Sequence, residues 1–245
     1  MTLTHIGLLD LESSMARNPK TTIDADQAPV VLSWSGGKDS AMTLDALQSG
    51  GVEVRALLAT VTEGVRRVSM HGVREDLLRE QARAVGLPLA VAYLPREASN
   101  DIYKDCFSRA LAPLQDAGVR DVAFGDIHLA DVRQWREAFM EELGMVARFP
   151  IWGAEPEDVV NRFIGCGARA WITCVDPDQL DPGFAGRALD WETLAQFPPG
   201  ADPCGENGEY HSFVWDGPWL AAPVSCRPTQ RVRRGGFEFC ELEPV

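Results

Sequence analysis

The feature that most limits this chain is the junction Val30-Val31-Leu32-Ser33-Trp34-Ser35-Gly36-Gly37-Lys38-Asp39-Ser40. An apolar, strand-like run enters a glycine pair and leaves it as the helix-like stretch Ala41 to Leu47. Gly36 and Gly37 let backbone N–H groups turn toward an anion with no Cβ in the way. A helix starting just after them offers unpaired N–H groups and a positive dipole end. Ser33, Ser35 and Ser40 add hydroxyls, and Lys38 adds a mobile positive charge. Asp39 is the odd member. A carboxylate beside phosphates is unfavourable unless it caps the helix, orients Lys38 or reaches a bound Mg2+. The loop is therefore built for a metal nucleotide, with Asp39 as candidate ligand to Mg2+ and Trp34 as packing.

Two commoner nucleotide loops are excluded by spelling. A Walker A loop needs Gly five positions before the Gly-Lys pair and Ser or Thr straight after it, where this chain has Leu32 and Asp39. A dinucleotide G-x-G-x-x-G is absent because Gly36 and Gly37 are adjacent and position 40 is serine.

Strand and helix signals alternate through the first half. Val30 to Ser33, Val52 to Val61, Leu87 to Tyr93 and Val119 to Phe124 read as strands. Helical periods between them include Val73 to Val85, with Val73, Leu77, Leu78, Gln81 and Val85 near one face, and Asp101 to Ala117. Such alternation predicts an α/β fold: a Rossmann-like parallel sheet with helices on both faces. Ligands bind at the carboxyl ends of such strands, where Ser33 to Ser40, Thr60 to Glu63 and Gly125 to His128 emerge. Phe149 to Gly153 reads as a linker, Pro156 to Ile164 as a helix and Ala170 to Val175 as a buried strand. Pro198, Pro199, Pro203, Pro218 and Pro223 then rule out long helices. The expectation for this part is a smaller C-terminal α+β region.

A second string stands out in that region: Asp202-Pro203-Cys204-Gly205-Glu206-Asn207-Gly208-Glu209-Tyr210-His211-Ser212. It reads as a polar loop entering the strand-like Tyr210 to Trp215. Carboxylates this close repel one another, so the loop is either solvated or a pocket for a cation, a metal or ammonia.

Taken together, SGGKDS and this second string resemble the diphthine–ammonia ligase family, whose loop is the pyrophosphate (PP) loop of the N-type ATP pyrophosphatases. The stretches Met70-His71-Gly72-Val73-Arg74 and Phe124-Gly125-Asp126-Ile127 add to the resemblance, which runs from about Val30 to about Pro223. It implies cleavage of ATP between its α and β phosphates, with Mg2+, to activate a carboxylate that ammonia then attacks. The cofactor set it implies is Ser33, Ser35, Gly36, Gly37, Lys38, Asp39, Ser40, Ala59 and Thr60 beside adenine, His71 and Gly125. The catalytic set is Lys38, Asp39, Asp126, Glu206, Glu209 and His211, and the acceptor loop is Cys204, Gly205, Glu206, Asn207, Gly208 and Glu209. The domains follow as a mobile extension over 1–28, an ATP-binding PP-loop domain over 29–148 and an acceptor-binding domain over 149–245. In the family the acceptor is diphthine, a modified protein side chain with a quaternary ammonium group, which Trp215 and Trp219 would attract through their faces. Another acceptor, a tRNA or a small molecule, and a non-catalytic ATP sensor are the alternatives.

Composition fits an ordinary globular enzyme, with 45% hydrophobic and 24% charged residues. Twenty-three basic against 36 acidic side chains leave a formal charge of −13, a field that repels nucleic acid at long range. Arg231, Arg233 and Arg234 are read as a solvated strand edge. The six cysteines include no C-x-x-C pair, so neither a zinc ribbon nor a redox pair is spelled out. No secretory h-region and no run of about twenty apolar residues is visible, which gives the expectation of a cytoplasmic protein free of membranes. A second copy of the chain is a candidate partner.

Overall fold

The computed structural model describes residues 28–245. The expected mobile extension falls, but for Ala28, outside them. The first half runs β1 (Val30–Ser33), α1 (Lys38–Ser49), β2 (Val54–Thr62), β3 (Arg67–Val68), α2 (Glu75–Val85) and β4 (Leu89–Leu94). It continues as α3 (Asn100–Asp116), β5 (Asp121–Ala123), α4 (Ala130–Glu142) and β6 (Val146–Arg148). These strands form one sheet of order β3-β2-β1-β5-β6, with β4 on β2. All pairings are parallel except that of β3, which joins Val61 and Thr62 of β2 beyond the end of β1.

Period-two alternation explains the layers. Leu32, Leu57 and Ala123 lie in one buried cluster with Leu44 of α1 and Leu77 and Leu78 of α2. Their strand neighbours Val31, Leu58 and Val122 lie in a second cluster with Phe107 and Leu111 of α3 and Phe139 and Met140 of α4. Both faces of the sheet are thus covered by helices, as its continuous apolar strands require. Fully burying each such side chain stabilises the fold by about 1.5–3 kcal/mol. The chain is Rossmann-like α/β, with a separate antiparallel sheet following.

That second part runs α5 (Pro156–Gly165), β7 (Arg169–Val175), a short helix α6 (Trp191–Leu194), β8 (Tyr210–Asp216), β9 (Cys226–Arg234) and β10 (Phe237–Pro244). Its sheet has the order β8-β7-β10-β9. One buried cluster reaches from Val30 in β1 to Leu242 in β10, so the two sheets share a core. Four strands carry no clear sequence signal. β3 spans two residues, β6 is exposed at both ends, β9 is polar with Pro228 inside it, and β10 breaks its apolar alternation between Cys240 and Leu242. Arg231, Arg233 and Arg234 lie on β9, an edge strand of its sheet.

The order places β2 and β4 on one side of β1 and β5 and β6 on the other. The strand order therefore reverses between β1 and β5, and a crevice opens outside their carboxyl ends. The phosphate loop follows β1 and Gly125 to His128 follow β5, so both border that crevice.

Candidate active site

The phosphate loop is shaped from three sides. Gly36 holds φ +80°, and a Cβ there would meet Gln81 Oε1 at 2.8 Å. At Gly37 a Cβ would lie 2.7 Å from His71 Cε1 and 3.0 Å from the Ser212 carbonyl. Only glycine fits either position without displacing these neighbours. The Ser35 hydroxyl accepts the Gly37 N–H (3.2 Å) and the Ser212 hydroxyl accepts the Lys38 N–H (3.1 Å). Asp39 and Ser40 stand in the first turn of α1, where N–H groups have no intrahelical acceptor. They are the donors that an anion would meet.

Lys38 is 2% exposed, its ammonium 2.7 Å from Asp39 Oδ1 and 5.4 Å from the centre of the Tyr210 ring. Burial opposes its charge, but Asp39, Cys204 and Tyr210 together outweigh that and raise its pKa above the ordinary lysine value. Lys38 is therefore a fixed cation beneath the loop. His71 Nδ1 lies 2.9 Å from the Ser212 carbonyl and donates to it, since that oxygen can only accept. The His71 ring centre is 4.7 Å from that of His211. Burial lowers the pKa of both imidazoles, His211 far below the usual value, and the nearby Lys38 charge acts in the same sense. Both rings are neutral at physiological pH.

The other wall comes from β5 and the glutamate loop. Backbone at Gly125 lies so close to α1 that a Cβ would stand 3.1 Å from the Asp39 carbonyl oxygen. Asp126 pairs with Arg136 of α4 at 2.7 Å, and that guanidinium covers the Phe124 ring at 4.5 Å. Ile127 N–H donates to Glu206 Oε1 at 2.7 Å, and His128 N–H reaches the same oxygen at 3.4 Å. Asn207 Oδ1 lies 3.4 Å from His128 Nε2. Glu206 thus bridges the antiparallel part of the chain to the end of β5. Burial raises its pKa, the Ile127 hydrogen bond opposes this, and repulsion from Asp39 raises it further.

Glu209 is disposed differently. It is 3% exposed, and its carboxylate accepts from Asp202 N–H (3.1 Å), Asn207 N–H (3.1 Å) and Asn207 Nδ2 (3.2 Å), all within its own loop. Gly205 and Gly208 turn that loop at φ +68° and +89°. Cys204 donates its thiol to the Pro156 carbonyl at 3.0 Å, and burial pushes the thiol pKa up to about 12. It is an inert packing residue in this geometry. Ala59 is buried in the core, while the Thr60 carbonyl accepts from Ser69 N–H at 3.1 Å. Ser33 closes β1 half-buried, and the Ser40 hydroxyl turns back to the Gly37 carbonyl at 2.9 Å.

The aromatic attraction expected of Trp215 and Trp219 is corrected by their packing. Trp219 stacks near Phe163 and donates its indole N–H to Asp45 at 3.0 Å, and the faces of Trp215 are taken by Trp171 and Arg169. Neither ring is free for a quaternary cation.

Residues 28–147, the part that holds this loop, His71 and Gly125 to His128 but not the glutamate loop, match the family model described as diphthamide synthase N-terminal domain. That domain belongs to the PP-loop ATP pyrophosphatase family, and the match covers 120 of the 245 residues. No curated protein matches the chain. The match is to a family of ATP-utilising enzymes. No described helix is long and apolar enough to cross a membrane.

Three residues of the PP-loop site escaped the sequence reading. Gln81 is fully buried, accepts the Trp34 indole N–H (2.7 Å) and donates to the carbonyls of Gly36 (2.9 Å) and Val214 (2.6 Å). Every hydrogen-bonding group of its amide is used to tie the PP-loop to β8, aided by Val214 N–H donating to the Gly36 carbonyl at 2.9 Å. A polar residue on the apolar face of α2 was the available signal. Ser212 ends the glutamate string, and its hydroxyl reads as that of a simple strand residue until β8 is seen beside the loop. Arg136 lies on α4 with no sequence pattern to link it to Asp126.

Proposed function

We propose that this protein is an AMP-forming ligase that adenylates a carboxylate and transfers ammonia to it. A carboxylate resists ammonia because its charge repels the nucleophile and oxide leaves poorly. Adenylation removes both obstacles: a carboxylate oxygen attacks the α phosphorus, and the bond to pyrophosphate breaks. Ammonia then attacks the acyl carbon, and the C–O bond to AMP breaks. In this reading the N–H groups of Asp39 and Ser40, with Lys38, receive the charge that gathers on departing pyrophosphate, an effect worth several kcal/mol in other enzymes.

Among the described residues no cluster of three or more metal-ligating side chains occurs. Mg2+ carried by a nucleotide takes one or two carboxylates plus phosphate oxygens, a demand that Asp39 fits. It would neutralise phosphate charge when bound.

The observation that carries the reading is Glu206, whose carboxylate bridges from the antiparallel part to Ile127 N–H at the crevice, with a raised pKa. A carboxylate there is suited to hold ammonium and take its proton as nitrogen attacks. We give Glu209 the role of framing the loop, Asp126 with Arg136 that of orienting the acceptor, and neutral His211 and His71 that of lining the nucleotide. Residues 29–148 are taken as the ATP-binding unit and 149–245 as the acceptor-binding one. The test is to incubate the protein with Mg-ATP, nitrogen-15 ammonium and a nucleotide-free lysate, and to follow labelled amide by mass spectrometry. Labelled amide that depends on ATP and disappears in Glu206→Gln is expected. ATP consumption with no nitrogen incorporated would point to another acceptor chemistry.

A further inference from the structure

A cavity of about 380 Å3 opens beside the β2–β3 hairpin, lined by Arg66, Arg67, Arg74 and Arg79 with Glu75 and Asp76. Four arginines around one cavity run against the −13 charge of the chain. Carboxylates answer them only in part. Glu75 is shared by Arg66 and Arg79 (2.8 Å each), Asp76 pairs with Arg74 (2.5 Å), and Glu241 is shared by Arg67 (2.5 Å) and Arg234 (2.9 Å). Five guanidiniums against these three carboxylates, with Glu243 near Arg74 as a fourth, leave net positive charge.

The arginines are also anchored from behind. Glu75 is 3% exposed and accepts the Tyr93 hydroxyl at 2.8 Å, and the Arg66 guanidinium stacks 5.3 Å from the centre of the Tyr93 ring. Arg67 donates to the Gly72 carbonyl at 2.7 Å. Arg66 and Arg79 nevertheless stay 62% and 39% exposed, so guanidinium N–H groups remain open to the cavity. Held donors of this kind need little ordering when an oxyanion arrives. The cavity also stands at the right edge. β3 extends β2 past the end of β1, and α2 begins at Glu75, so these residues flank the carboxyl ends of the strands, as the phosphate loop does. None of them belongs to the phosphate loop or the glutamate loop.

We propose that this arginine cavity is a second oxyanion site, which holds the non-reacting phosphate or carboxylate groups of a small-molecule acceptor. That the ligand is the acceptor rests on the ligase reading above; that it is an oxyanion rests on the cavity alone. A quaternary ammonium acceptor would be repelled here.

The experiment is calorimetry on the full chain at low ionic strength, saturated with Mg2+ and a non-hydrolysable ATP analogue so that the phosphate loop is filled. Inorganic phosphate and succinate are titrated separately, and the tighter of the two identifies the group. Binding that weakens with salt and falls about tenfold or more in Arg66→Gln and in Arg79→Gln is expected. Arg74→Gln, whose partner Asp76 is exposed, repeats the test with little risk to folding. No binding of either probe, affinity unmoved by all three variants, or displacement of the probe by the analogue would overturn the proposal. Failure of the analogue itself to bind would instead strike the ATP reading, and the probes would then be titrated into the free chain.

Discussion

The phosphate loop and the glutamate loop meet at one crevice, both punctuated by glycine, yet they dispose of their polar groups in opposite ways. The phosphate loop is held from outside, by Gln81, Ser212 and His71, and keeps the N–H groups of Asp39 and Ser40 in the first turn of α1 open. The glutamate loop is held from inside, since Glu209 gathers the N–H groups of Asp202 and Asn207. From that closed loop Glu206 alone of the two glutamates extends to another element. Two glutamates of one short motif thus divide into one that builds the loop and one that reaches across the crevice to Ile127.

The largest effect should come from filling the phosphate loop. In Gly37→Ala the new Cβ meets His71 and the Ser212 carbonyl, an overpacking that costs roughly 1–3 kcal/mol. ATP affinity by calorimetry should fall on the order of a hundredfold. Wild-type affinity would mean that the loop is not the nucleotide site.

The two glutamates should then separate cleanly. Glu209→Ala orphans two backbone donors and is expected to lower stability by about 2–4 kcal/mol in chemical denaturation. Glu206→Gln keeps an acceptor for Ile127 N–H, so its stability should hold while amide formation drops about a hundredfold. The reverse pattern would exchange their roles. Between these lies Gln81→Leu, which frees the Trp34 indole and two carbonyls. It should cost about 2–3 kcal/mol and weaken ATP binding, because the loop loses its tie to β8.

A finer distinction is in pH. The Glu206 pKa is raised above 4.5 in the fold, so the folded state holds that proton longer than the unfolded chain. Its contribution is present below 4.5 and is lost as pH rises through the folded value. Glu206→Gln should therefore gain in melting temperature over the wild type as pH rises, and a constant gap would remove burial as the cause. The last effect, confined to acid pH, concerns His71 and His211, whose folded pKa values lie below 6.5. Stability should be full above 6.5 and fall as pH drops toward the folded values, with a limiting slope of about 1.4 kcal/mol per pH unit for each imidazole. His211→Gln should flatten that acid limb.

Much of the fold was legible because it rests on local pattern. Val30 to Ser33, the glycine pair and the alternating strands announce a phosphate loop at the edge of a parallel sheet, and β1, β2, β4 and β5 lie within a few residues of where hydrophobicity puts them. β3, β6 and β9 were not legible, because two-residue or polar edge strands carry no apolar period, and β10 breaks its alternation between Cys240 and Leu242. In the site, residue type told what chemistry was available but not which groups were already satisfied. Glu206 and Glu209 look alike in sequence, and only the N–H groups of Asp202, Asn207 and Ile127 tell them apart. Trp215 and Trp219 looked like open aromatic faces because nothing local marks Trp171, Arg169, Phe163 and Asp45 as their neighbours.

The most direct measurement is phosphorus NMR of the nucleotide products formed from Mg-ATP by the wild type and by Glu206→Gln, with ammonium and an acceptor fraction present. AMP and pyrophosphate are predicted from the wild type, faster when both ammonium and acceptor are supplied, with the stimulation by ammonium lost in the variant. ADP with inorganic phosphate, or a variant that responds to ammonium like the wild type, would contradict the ligase assignment.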